Sequence, residues 1–367
     1  MNVKEKIWIG VTVALLFVPA VLSSVNPENS SAEFENRQIE PFPPVPTSLK
    51  EFYKWPSELD AFIESHLFQR NTIIQGYNKT AYERFGMSTN KNVIIGKDNW
   101  LFISQSGHAI EKHRGIYTFT SEKQKQKWIQ KLNQIAASIK QKNSDFVFVI
   151  IPSKSTVYPE YLPLHHTVVG PSLTDSIVEM LQEKADFDWI DLRPTLIRAA
   201  QSEKVFYEHD THWNVRGSYI AYHEVMKKIE SRHSVQVLDS SRVLFSQRTK
   251  MGGDLSRLLG LQNVFYEEVP NVTIEKSIVT SKKDGDYRKN HVTVTTSQKK
   301  LAKALILCDS FVFSSMSQYL QESFSCVVYK HHHSLNFDQK IIDEVNPDIV
   351  LVMVTERLLP VEIKDNS

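Results

Sequence analysis

The clearest pattern along the chain is a set of short, uninterrupted apolar runs separated by amphipathic stretches. FVFVIIP (146–152) and DIVLVMV (348–354) read as buried strands, and FDWIDL (187–192), interrupted by two aspartates, ALIL (304–307) and CVVYK (326–330) as further strands. Between them lie helical patterns. Residues 121–141 open on Ser121 as N-cap, and 172–184, SSMSQYLQESF (314–324) and FDQKIIDEV (337–345) follow the same period. A further helix begins after residue 213, with Tyr219, Tyr222, Val225, Met226 and Ile229 on its buried side. Alternation of apolar strands with helices predicts an α/β fold, a parallel sheet covered by helices on both faces. Earlier in the chain, Phe52, Leu59, Phe62, Ile63, Leu67, Ile73 and Tyr77 recur at helical spacing and predict two helices. NVIIGKDNWLFIS (92–104) alternates around Gly96–Asn99 and predicts a strand–turn–strand. Residues 264–300, with VTVTT and the charged SKKDGDYRK, break the rhythm and read as an antiparallel excursion or a surface insertion.

The N-terminus changes the picture. Lys4 and Lys6 precede an uncharged run from Ile7 to Val25. Its length approaches the ~20 apolar residues of a membrane-spanning helix and is long for the core of a cleaved signal. We read residues 1–25 as an anchor in preference to a signal peptide. In both cases the basic flank stays inside, and the remainder lies outside the cytoplasm. Residues 26–50, with NPENSS and PFPPVP, read as a tether, and 51–367 as the folded domain.

Composition adds exclusions. Lys and Arg number 43 against 42 Asp and Glu, a formal charge of +1, so no global field favours nucleic acid. The two cysteines, Cys308 and Cys326, have neither a zinc-type nor a CxxC spacing, and read as small apolar residues near strands.

Reactive positions in such a sheet lie just past the carboxyl ends of its strands. CDSF (308–311) follows ALIL directly, so Ser310 sits at a strand-to-helix turn, near backbone N–H groups able to receive an oxyanion. On its own this segment reads better as a helix cap. In DTHW (210–213), positions two apart on an extended chain share a side, so Asp210 can hold one ring nitrogen of His212 and leave the other for a serine. Alone, this is also a structural His–Asp pair. Together the two segments supply nucleophile, base and orienter, which points to a triad. A metal reading competes, because His209, Asp210 and His212 cluster and His331, His332 and His333 follow another strand. Three consecutive histidines alternate in direction and cannot all face one ion. The loop IPSKSTVYPEYLP (151–163) offers Lys154 and Tyr158 to line the site, with Trp213 as a wall, and MGGDL (251–255) offers a tight turn that could close over it.

In order along the chain, ENR (35–37), GKDNWLF (96–102), PSKSTVYPEYLP (152–163), DTHWNVRGSYIAY (210–222), GGDL (252–255) and CDSF (308–311) resemble the alginate O-acetyltransferase family of AlgJ- and AlgX-like proteins. The resemblance implies an SGNH-hydrolase-like domain outside the cytoplasmic membrane. It implies Ser310 as nucleophile, His212 as base and Asp210 as its orienter, with no cofactor. It also implies two partners: a multi-pass membrane acyltransferase that supplies acetyl groups, and a polysaccharide that accepts them. A carbohydrate acetyl esterase with the same triad, or a non-catalytic anchored scaffold, remain the alternatives. Cys308 stands where many SGNH proteins have glycine.

Overall fold

Three apolar runs become adjacent strands at the centre of a seven-stranded sheet. The computed structural model describes residues 2–13, 40–66, 70–283, 286, 288–289, 291–332, 335 and 340–363. In chain order its main elements are helices α1 (Leu49–His66) and α2 (Arg70–Phe85), then the hairpin of β1 (Val93–Ile95) and β2 (Leu101–Ile103). Helix α3 (Glu122–Lys140), β3 (Asp145–Ile151), α4 (Leu173–Lys184), β4 (Asp188–Asp191) and α5 (Val215–Ile229) follow. Next come an antiparallel pair, β5 (Val243–Met251) and β6 (Tyr266–Ile274), then β7 (Val279–Lys283), β8 (His291–Thr296) and β9 (Lys303–Cys308). The chain continues through β10 (Cys326–His331), α6 (Lys340–Val345) and β11 (Ile349–Thr355).

The main sheet has the order β4-β3-β11-β9-β10-β8-β7. The first five strands are parallel, and β8 and β7 join antiparallel. The expectation of a parallel sheet therefore needs correction to a mixed one. The reason is visible in burial. All seven residues of β11 are buried, as a strand covered on both faces must be, whereas β8 buries every second residue and needs cover on one face only.

Period-two alternation divides each central strand between two cores. Val147, Val149, Ile306, Leu351 and Met353 pack with Ala221, Tyr222 and Val225 of α5. Phe148, Ile150, Leu307, Val350 and Val352 pack with Trp128 and Leu132 of α3, Leu173 and Ile177 of α4, and Ile342 of α6. Ser121 caps its helix as the sequence predicts, and a second cap appears at Ser172. Ser121 accepts from Gln124 N, and Ser172 and Asp175 form a reciprocal capping box. Cys308 ends β9 and Cys326 begins β10, at opposite ends of two parallel neighbours, and both are free thiols.

The described residues fall into two units, Met1–Asn90 with Ser256–Val264, and Lys91–Leu255 with Phe265–Ser367. In the first, buried Asn78 donates to the Leu259 carbonyl at 2.7 Å, and Asn90 donates to that of Leu258 at 2.8 Å. The second contains the sheet. Residues 3–13 are helical. The rest of the expected membrane segment (14–25), residues 26–39 of the expected tether, and His333 lie outside the described residues. Among the described residues no helix is long and apolar enough to cross a membrane.

Candidate active site

Strands β3, β11 and β9 end side by side, so Ser153, Glu356 and Ser310 all lie just past one edge of the sheet. Asp309 locks this edge. It is buried, one carboxylate oxygen accepts from Phe311 N at 2.9 Å, and the other accepts from Thr355 N at 3.0 Å and from the Thr355 hydroxyl. The nucleophile turn is thereby tied to the adjacent strand. Ser310 opens a helical stretch to Leu320 that contains a π-helical turn at Val312–Met316. Such turns widen the backbone ring by one residue and concentrate at functional sites.

Opposite Ser310 stands a tight hairpin over residues 205–214. Asn214 N donates to Val205 O at 2.9 Å, Phe206 and Trp213 bridge, and Tyr207 N donates to His212 O at 3.2 Å. Asn214 then caps α5, its side chain accepting from Arg216 N and Gly217 N. This extended segment aims His212 at the nucleophile. His212 Nε2 lies 2.9 Å from Ser310 Oγ, and Nδ1 lies 2.7 Å from Asp210 Oδ1. The His212 side chain keeps 19% of its surface exposed, enough for a substrate to reach it.

Two carboxylates flank Nδ1, and their surroundings push them apart. Burial opposes ionisation of Asp210, but the His212 ring and Lys250, 3.1 Å from Oδ2, hold it well below the usual carboxylate range. Asp254, 3.7 Å from Nδ1, is pushed up by burial and by the Asp210 charge. Asp254 accepts from Thr211 N at 2.6 Å and from the Thr211 hydroxyl, fixing the residue between Asp210 and His212. A charged Asp210 therefore serves the ring, and Asp254 serves the loop.

Of the residues expected to line the site, Tyr158 and Trp213 engage the backbone from behind it, while Lys154 borders a small cleft with Thr211 and Phe311 and turns its ammonium onto the hairpin. Lys154 is buried, and its ammonium donates to the carbonyls of Tyr207, Glu208 and Asp210 at 3.0, 2.8 and 2.7 Å. It fills the concave side of the hairpin, near the Trp100 and Phe102 rings, and burial pulls it down to about 8. The Tyr158 hydroxyl accepts from Val205 N at 2.9 Å, at the hairpin's stem. Trp213 is fully buried, and its Nε1 donates to Phe311 O at 2.8 Å, joining the base's segment to the nucleophile's. The MGGDL turn comes as close as its glycines allow. A Cβ on Gly253 would lie 2.4 Å from His209 O and 2.7 Å from Asp210 Cβ.

Sequence reasoning missed Lys250, Asp254, Thr211, Asp309 and Arg357. Thr211, Asp254 and Asp309 sit inside motifs already singled out, and that adjacency was their only signal. Among the described residues, two groups have donor atoms close enough for a metal, Glu208 with His209 and Glu267, and Asp210 with His212 and Asp254. Neither includes His331 or His332, and His332 Nε2 lies instead 3.1 Å from Met353 O. Both nitrogens of His212 already face partners, Asp210 and Ser310, which leaves neither directed at an ion.

Residues 93–333 match the family model for the SGNH hydrolase-like domain of acetyltransferase AlgX. The chain is 25% identical over 183 residues to a probable alginate O-acetylase AlgJ of Pseudomonas putida, a match covering 48% of this chain and 44% of that relative. The fold resembles Bacillus cereus PatB1, with a TM-score of 0.57 at 16% identity over 74% of this chain and 99% of that one. It also resembles a DHHW family protein from Eubacterium siraeum, with a TM-score of 0.53 at 16% identity over 75% and 94%. With most of its sheet domain inside the family match, the chain belongs to the SGNH hydrolase-like, AlgX acetyltransferase family.

Proposed function

We propose that this chain is a serine-dependent O-acetyltransferase that places acetyl groups on hydroxyls of an exported polysaccharide. The observation that carries the reading is the relay Asp210–His212–Ser310, with contacts of 2.7 and 2.9 Å at the edge of the sheet. Ser310 Oγ attacks the donor carbonyl while His212 Nε2 takes its proton, and the imidazolium is stabilised by Asp210. The leaving group takes that proton, and an acetyl-serine remains. A sugar hydroxyl then attacks the acetyl carbon, with His212 again removing a proton, and Ser310 is regenerated. The P. putida relative's name, a probable alginate O-acetylase, supports a polysaccharide acceptor. Alginate itself is not required by any residue described here.

The proposed setting is extracytoplasmic. It rests on the basic flank and apolar run of residues 4–25 and on the family. An acetyl supplier in the membrane fits that setting, because acetyl donors are made inside the cell.

The test uses the purified full-length chain in detergent, as wild type and Ser310→Ala, with p-nitrophenyl acetate and an oligosaccharide acceptor. The expected result is acetylated oligosaccharide by mass spectrometry from the wild type alone. Ser310-dependent ester cleavage with no acetyl-sugar across acceptors would point to an esterase. Equal activity in both proteins would overturn the triad.

A further inference from the structure

A tetrahedral intermediate at Ser310 needs donors for its oxyanion, and the backbone supplies fewer than the turn suggests. The Phe311 N–H, which the opening helix would otherwise offer, is already donated to Asp309. A cation stands beside this turn. Arg357, two residues past the end of β11, lays its guanidinium 5.6 Å from the centroid of the Phe311 ring. Its Nε is buried with no hydrogen-bond partner, and among the described residues it forms no ion pair. Its backbone is held in place. Lys112 Nζ donates to Arg357 O at 2.6 Å, and a Cβ on Gly107 would lie 2.6 Å from that same oxygen. Arg357 borders a small cleft with Phe102, Lys154, Ser155, Thr211 and Phe311, so the cleft touches the residue after the nucleophile and the residue before the base; the Lys154 ammonium is already given to three backbone carbonyls. The cleft has room for about one water-sized group. An unneutralised cation in a mostly apolar cleft beside a nucleophile is a site prepared for developing negative charge.

We propose that Arg357 is a catalytic residue whose guanidinium receives the acyl carbonyl oxygen as it becomes an oxyanion. As the Ser310 Oγ–carbon bond forms, the carbonyl electron pair moves onto oxygen and is held by Arg357. When the leaving group departs with the proton from His212, the C=O bond re-forms and the charge is released. The same cycle serves the second half-reaction. This inference rests on the acyl-transfer reading.

The experiment measures p-nitrophenyl acetate turnover by the full-length chain as wild type, Ser310→Ala, Arg357→Met and Arg357→Lys, with melting temperatures for all. Arg357→Met is expected to lower kcat by about 10²–10³-fold with little change in KM, because the interaction strengthens only in the transition state. Arg357→Lys should recover about tenfold of that loss, and millimolar ethylguanidinium should restore turnover to Arg357→Met but not to Ser310→Ala. If Arg357→Met fails to fold, a folded Arg357→Lys with lowered kcat and unchanged KM carries the test. Wild-type kcat in a folded Arg357 variant, or a rise in KM alone, overturns the role of Arg357 while leaving the triad standing. Full activity in Ser310→Ala removes the acyl-transfer reading itself.

Discussion

The ammonium of Lys154 lies 2.7 Å from the backbone carbonyl of Asp210, the residue whose side chain holds the ring of His212. A lysine from the loop after β3 therefore sets the position of a hairpin some fifty residues later in the chain. It does so through main-chain oxygens, which any sequence would present, so the hairpin's side chains stay free to serve the site.

Lys154→Met should leave three carbonyls without their donor and destabilise the fold by about 2–3 kcal/mol. Because the hairpin carries His212, kcat on acetyl esters should fall at least tenfold. The pH dependence has a definite sign. Burial lowers Lys154 from 10.5 to about 8, so between those values the folded chain binds fewer protons here than the unfolded chain. Stability from this group rises with pH across that window. Chemical denaturation at several pH values should show a shallower rise in the methionine variant. Lys112, also lowered to about 8 by burial, keeps some slope in both proteins.

Asp210→Asn preserves shape but removes the charge that His212 and Lys250 stabilise. Activity should drop about 10⁴-fold with KM nearly unchanged. In the wild type the Asp210 carboxyl is held below its ordinary value of 3.8, so its contribution to stability is complete above that pH and is lost as pH falls below it. The stability difference between wild type and variant should shrink in acid, as pH falls below about 4. A constant difference down to pH 2 would contradict the ionised assignment.

Gly253→Ala tests the close approach of the MGGDL turn to His209 and Asp210. The new methyl meets backbone, which cannot swing aside. A destabilisation of about 1–3 kcal/mol is expected. Displacing Asp210 by a fraction of an ångström should also lower kcat by more than tenfold. A variant with wild-type kcat and melting temperature would show that the turn yields freely.

Asp309→Ala should unlock β9 from β11, since three donors lose their acceptor at once. We expect a loss of about 3 kcal/mol and reduced labelling of Ser310 by sulfonyl fluorides. Thr355→Val removes only the hydroxyl donor and should cost about 1 kcal/mol.

Much of the architecture was legible because burial leaves a mark on composition. FVFVII and IVLVMV are apolar at every position, which only a strand covered on both faces requires, and both are central parallel strands. Ser121 announced its helix because capping is a local hydrogen bond. The place of β8 and β7 at the sheet's edge was less legible. Residues 264–300 read as an antiparallel excursion or a surface insertion, and VTVTT signals a strand with one buried face but says nothing of its neighbour.

At the site, the chain itself determined the residue types and their local order: a serine at a strand end, an aspartate two residues before a histidine, and a helix cap just after. Such features follow from covalent spacing and from the two-residue repeat of extended backbone. Only tertiary structure decided what meets across the fold. It brought Ser310 within 2.9 Å of a ring 98 residues earlier, put the Lys154 ammonium on the hairpin's carbonyls, and set Arg357 over Phe311. Those outcomes depend on which strands become neighbours, and strand order is settled by the packing of both cores together rather than by any segment alone.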